Sequence, residues 1–190
     1  MNIWTWHHFL VCSSTSTVPI PSTDFTCTAS NQYNKDTCEN AYDNDINTKW
    51  NTEARKWVGE KLEINLHGSY TIGKIYLRQR NKIGIDYQIK EIKLTFSDGS
   101  TQNIAFKPTT RKVPEQTFDL IPVQTDSITI LGVSVQKTPS MRYGFTEIKF
   151  YECSGNECFN NTQRKNFVSF DTFRFTFSKT SNPQHLQDMC

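Results

Sequence analysis

A chain of 190 residues with 36% hydrophobic side chains is sized for one domain with extensions, and its 13% aromatic content suits the Phe-, Tyr- and Ile-rich cores of packed sheets. A formal charge of +2, from Lys and Arg scattered along the chain, forms no basic arm and argues against nucleic acid as a partner. No apolar run is long enough to cross a membrane as a helix.

The first residues are apolar in places (Ile3, Trp4, Trp6, Phe9, Leu10, Val11), but they lack a basic start and are interrupted by His7 and His8. They read as a poor signal peptide or a truncated start. Residues 13–23 are rich in Ser, Thr and Pro, a linker composition, so 1–23 is a leader and linker and folded sequence starts at 24.

From there apolar residues alternate with a period of two, which predicts strands with one wet face. Leu62, Ile64 and Leu66 form one such set, Ile75 and Leu77 a second, and Ile92, Leu94 and Phe96 a third. His67 and Gly68 are expected in a turn between the first two. Ser97-Asp98-Gly99-Ser100 is a hairpin signal, with a return strand over Thr101–Phe106. Ile128 and Ile130 share a phase that slips to Leu131, Val133 and Val135, which predicts a β-bulge beside Gly132. A last strand runs from Phe145 to Tyr151 with Ile148 and Phe150 inward. Seven or eight short strands without a helix predict an all-β, antiparallel β-sandwich of the jelly-roll type over residues 24–153. Residues 154–190 form a C-terminal extension in which Phe167–Phe177 alternates strongly. It reads as a strand added to the sandwich or the start of a truncated second β domain.

Two segments carry chemistry. Asp43, Asp45 and Thr48 place three oxygen-bearing side chains in six positions, a density that suits a hard cation or an Asx-rich turn before a buried Trp50. The loop lacks the Gly and Glu of an EF-hand. Gly144-Phe145-Thr146-Glu147-Ile148-Lys149-Phe150-Tyr151 puts Glu147 at the start of the last strand.

These motifs, with Trp57–Leu66 and Phe96–Ser100 between them, resemble the discoidin superfamily. That superfamily includes the C domains of coagulation factors five and eight and the galactose-binding-like modules of secreted glycosidases. The segments Ile75–Asn81, Asp86–Ile89 and Leu94–Ser100 are similar to a subgroup appended to extracellular proteins and carbohydrate-active enzymes. The resemblance implies a structural Ca2+ held by Asn40, Asp43, Asp45, Thr48, Thr146 and Glu147, with Asn40 and Thr146 offering carbonyls. Asn44 stands where the family usually has Gly, and Asn tolerates the left-handed backbone such a turn needs.

It also implies a binding module whose loops at one end take a glycan or glycoprotein ligand. Candidate contacts are Arg80, Asp86, Tyr87, Arg111, Lys112, Arg142 and Tyr143, because sugars need an aromatic face and planar donors and acceptors. The loops carry no Trp or Phe spike, which argues against membrane insertion. No nucleophile–base signature is present, and His7, His8, His67 and His185 fall in the leader, a turn and the tail. The reading is therefore non-catalytic. The alternatives are a protein-interaction or adhesion module of a secreted or matrix protein and an accessory domain of a secreted glycosidase.

Six cysteines suit secretion into an oxidising compartment, as does the sequon at Asn160. The expected pairs are Cys27 with Cys38 and Cys153 with Cys158, Cys27–Cys153 being a competing connectivity and Cys12 and Cys190 free or paired elsewhere. Separations of 11 and 5 positions do not make zinc knuckles.

Overall fold

The structure is a computed structural model that describes residues 17–80, 88–109, 115–137 and 142–153. Asp86, Tyr87, Arg111, Lys112, Cys158, Asn160 and the extension from 154 onward lie outside the described residues.

Eight strands run in chain order: β1 (Thr17–Pro19), β2 (Phe25–Ala29), β3 (Trp50–Asn51), β4 (Lys61–Gln79), β5 (Ile89–Phe96), β6 (Thr101–Ala105), β7 (Glu115–Val135) and β8 (Gly144–Cys153). All the pairings are antiparallel. The sets around Leu62 and Ile75 are not separate strands, and His67 does not sit in a turn between them. Both belong to β4, 19 residues long, which pairs along its length with the 21-residue β7. The ladder slips where Asn65 and Tyr70 face Ser127 and Thr125, and again where Ile72 and Lys74 face Val123 and Asp119. The second slip holds Pro122, which has no N–H to give and so fits a bulge. Bulges let a strand bend from one sheet into another without breaking its pairing. The first sheet is β2, the start of β4, the end of β7, β5 and β6. The second is the start of β7, the end of β4, and β8, with β1 and β3 both on the outer edge of β8. This is the jelly-roll sandwich the alternation predicts.

The alternating residues fill the space between the sheets. Leu62, Ile64, Ile75, Leu77, Ile92, Leu94, Ile128, Ile148 and Phe150 are all buried. Trp50 and Trp57 are each 1% exposed and lie 6.2 Å apart, which puts both tryptophans in the core rather than at its surface. At the predicted hairpin, Gly99 has φ +82 and donates its N–H to the Phe96 carbonyl. The predicted slip beside Gly132 is present, the β5–β7 register shifting between Ile92–Gly132 and Glu91–Ser134.

Because β4 and β7 double back, both ends of each lie at the same end of the sandwich. The starts of β5 and β8 and the ends of β2 and β6 join them there. Glutamines hold this end where the ladders run out. The buried Gln79 side chain donates to the Ile89 carbonyl and accepts from the Ile89 N–H, and buried Gln88 does the same with Thr109. A primary amide reproduces both halves of a backbone pair, so these irregular edges keep their hydrogen bonds.

Candidate functional site

Two features stand out: an oxygen-rich loop against the edge of β8, and a basic cluster at the loop end. The first begins at a 3-10 turn, Cys38–Ala41, that packs against β8. Cys27 of β2 and Cys38 form a disulfide, so the competing pairing of Cys27 with Cys153 does not occur. Cys153 is itself disulfide-bonded. After the turn, Tyr42 is buried edge-on against Phe25 at 5.5 Å and donates its hydroxyl to Cys27 Sγ. The chain then leaves the core. Asn44 takes the left-handed conformation, φ 62, and its amide donates to Ser22 Oγ.

Thr48 Oγ1 sits at the centre of the loop. It is 2.6 Å from Asp43 Oδ2, 2.8 Å from the Asp45 carbonyl and 3.4 Å from the Asn40 carbonyl. One hydroxyl proton cannot serve three acceptors. Four oxygens with a single proton among them are what a hard cation would satisfy. The structure alters one donor. The Asp45 carboxylate accepts from Asn47 N and Nδ2 through Oδ1, and Asp45 meets the Thr48 hydroxyl through its carbonyl.

Glu147 is on β8, only 3% exposed, between the stretches of edge covered by β3 and β1. Burial pushes its carboxyl above the usual range. Lys149 and Arg78 oppose that shift, while the negative charge of Asp43 adds to it. The turn that opens the early loop packs against this late strand. Thr146 is buried beside Glu147, its hydroxyl directed at the carbonyls of Arg78 and Gln79. The other cluster of possible ligands among the described residues, Cys27, Cys38 and Glu39, has both sulfurs in the disulfide and offers no thiolate.

At the loop end, Arg80 follows β4 and donates from its backbone to the Gly144 carbonyl and from Nη1 to the Arg142 carbonyl at 2.8 Å. The Arg142 guanidinium lies over the Tyr33 ring, 3.5 Å from its centroid. Tyr33 and Asp36 close a turn through Asn34, which has φ 51. That turn is pinned to β3 by Tyr33 N to the Asn51 carbonyl and by Asn51 Nδ2 to Asp36 Oδ2 at 2.7 Å. Burial, then the charge of Arg142, lowers the Arg80 pKa, with Asp36 and Tyr143 acting the other way. The Nε atoms of Arg80 and Arg142 and Oδ1 of Asn51 are buried without hydrogen-bond partners.

Of the predicted ligand contacts, Arg80 and Arg142 come together. Tyr143 does not face a ligand: it is 1% exposed and packs on Trp57 at 6.0 Å, because β8 enters the core from its first residue. Tyr33 and Asp36 are the residues sequence reasoning missed. Their one signal is the Tyr-Asn-Lys-Asp turn, whose Asn favours a left-handed backbone.

The family model for the F5/8 type C domain matches residues 25–145. This chain belongs to the F5/8 type C family. No curated protein sequence matches it. Among solved structures, the domain is similar to the family 32 carbohydrate-binding module of C. perfringens NanJ in complex with galactose. The identity is 21% and the TM-score 0.58, over 72% of this chain and 100% of that one. It is similar to an F5/8 type C domain from Bacteroides fragilis at 17% identity and TM-score 0.59, over 73% of this chain and 98% of that one. A module of a Clostridium perfringens protein in complex with GalNAc-β-1,3-galactose aligns at 14% identity and TM-score 0.57, over 70% of this chain and 99% of that one. At these identities the likeness speaks to the fold.

Proposed function

We propose that this F5/8 type C domain is a non-catalytic, extracellular glycan-binding module braced by a structural calcium. The observation that carries the glycan reading is the cluster at the loop end, where Arg80 and Arg142 present planar donors beside Tyr33 and Asp36. Planar polar groups next to an aromatic ring are the means by which proteins grip sugar hydroxyls and apolar sugar faces. Two similar structures hold galactose or a galactose disaccharide, which supports the same ligand class here. The disulfide of Cys27 and Cys38 supports an oxidising compartment, and no helix among the described residues is long and apolar enough to cross a membrane.

The calcium would be held by carbonyl oxygens of Asn40, Asp45 and Thr146, the Thr48 hydroxyl and the carboxylates of Asp43 and Glu147. Six oxygens with two negative charges match its demand. The test of the binding function is a glycan array probed with the full chain, produced in an oxidising compartment, with and without chelator. Binding to a defined group of galactose-containing glycans is expected. An array silent in both conditions would favour the protein-adhesion reading instead.

A further inference from the structure

We infer that two glutamine side chains lace the sandwich shut along one flank, and that this seam withholds the edges of β6 and of the first stretch of β7 from a second copy of this chain.

The seam consists of four hydrogen bonds. Gln102, on β6, donates from Nε2 to the Ile121 carbonyl at 2.7 Å and accepts from the Ile121 N–H through Oε1 at 2.9 Å. Gln116, near the start of β7, holds Lys107 in the same way, at 2.7 and 2.9 Å. The two pairs share one antiparallel register. From Gln102 to Lys107 the chain advances by as many positions as it retreats from Ile121 to Gln116. One glutamine reaches across from each side, and between them buried Phe106 meets Phe118 edge-on at 5.2 Å. A primary amide carries one donor side and one acceptor side, so each glutamine stands in for the backbone pair that a neighbouring strand would offer.

The two edges belong to different sheets. β6 is paired with β5 in the first, and the start of β7 with β4 in the second. The β7 bulge explains why Ile121 can be held from outside. It falls in the slip between Asp119 and Val123, just before Pro122, and has no place in the β4 register. Strand edges with open N–H and C=O groups are templates for further strands. An opened seam here would present the backbone of Ile121 together with its side chain, already 52% exposed. The same edge on a second copy has the same groups, so the two could pair about a twofold axis. Laced, both backbone groups are taken.

The experiment is amide hydrogen exchange and sedimentation velocity on the full chain. Gln102→Ala should speed exchange at Ile121, and Gln116→Ala at Lys107, by about tenfold each, the size of the hydrogen bonding removed. Gln102→Glu keeps the length and the acceptor but has no donor for the Ile121 carbonyl, and should lose protection too. Gln124→Ala, on β7 with its side chain exposed, should change neither amide. The double variant Gln102→Ala/Gln116→Ala should form dimers at a concentration about tenfold below that of wild type. Unchanged protection at Ile121 and Lys107 in the single variants overturns the seam. Lost protection with sedimentation identical to wild type overturns its role in withholding the edges. Should the double variant not fold, sedimentation of the two single variants decides the same point: an unchanged dimer threshold in both overturns that role.

Discussion

Replacing Glu147 by Gln separates a calcium site from a buried strand residue, because the two predict opposite signs in two conditions. Glu147 is 3% exposed, with its carboxyl pushed up by burial and by Asp43. Without a cation the charge is a liability that Lys149 and Arg78 only partly offset, so the Gln variant should melt at or above wild type in chelator. With calcium the order should reverse. Wild type gains about 2.7 kcal/mol at a hundredfold excess over Kd, or roughly 8–11 °C for a domain of this size. The Gln variant loses a charged ligand that joins the loop to β8 and should gain little. Glu63→Gln, on an exposed position of β4, should follow wild type throughout. Melting curves of the three proteins with calcium and with chelator settle the matter. If calcium raises wild type and the Gln variant equally, Glu147 is not a ligand. If the Gln variant melts below wild type in chelator, Lys149 and Arg78 already satisfy the carboxylate.

Replacing Cys27 and Cys38 together by Ser opens a loop of sequence separation 11 and should cost about 3 kcal/mol by denaturant unfolding. The calcium-induced shift should shrink in that variant, because Cys38 begins the turn that carries Asn40. Gly144→Ala places a Cβ 1.8 Å from the Trp50 carbonyl oxygen, which is backbone and cannot step aside. Its cost in equilibrium unfolding should reach or pass the top of the ~1–3 kcal/mol range of overpacked cores, with Trp50 fluorescence changed. Burial, and then the hydrogen bond to Glu115, raises the pKa of the Tyr76 phenol to about 12. Folding thus favours its neutral form. That stabilisation is complete below the ordinary phenol value of 10.0 and is lost as pH rises towards about 12. Tyr76→Phe should flatten the alkaline fall in unfolding free energy, and an unchanged slope would refute the assignment.

The strands were legible where one face is buried, since a period of two needs only the identities of neighbours. Leu62, Ile64 and Leu66 declare themselves, as do Ile92, Leu94 and Phe96. The continuity of β4 through His67 and Gly68 was not legible. A Gly beside a polar run signals a turn and a bulge alike, and only the pairing with β7 decides between them. The oxygen-rich loop was legible as a set of residues, but not the contact of the Asp45 carbonyl with Thr48 or the capture of the Asp45 carboxylate by Asn47. Tyr143 misled because an Arg-Tyr pair in a loop looks solvent-facing until Trp57 packs on it. Tyr33 was silent for the converse reason: its importance lies in lying under Arg142, a contact made only by the fold.

The two features meet in one residue. The carbonyl of Asn40 faces the Thr48 hydroxyl in the oxygen-rich loop. Its side-chain amide donates to the carbonyls of Lys35 and Lys49, at 3.0 and 3.1 Å. Lys35 lies in the turn that closes between Tyr33 and Asp36, and the Lys49 ammonium is 3.9 Å from Asp36. One Asn thus holds both strands of chain that lead from the loop to the basic cluster. A cation bound to the Asn40 carbonyl would restrain the same residue that positions the Tyr33 turn, so order imposed at the loop passes to the ring beneath Arg142 through covalent bonds and two hydrogen bonds. If calcium binds as proposed, it need not touch a sugar to affect its binding: it would fix the backbone on which Tyr33 and Asp36 are carried, and the cost of ordering them would be met before the ligand arrives.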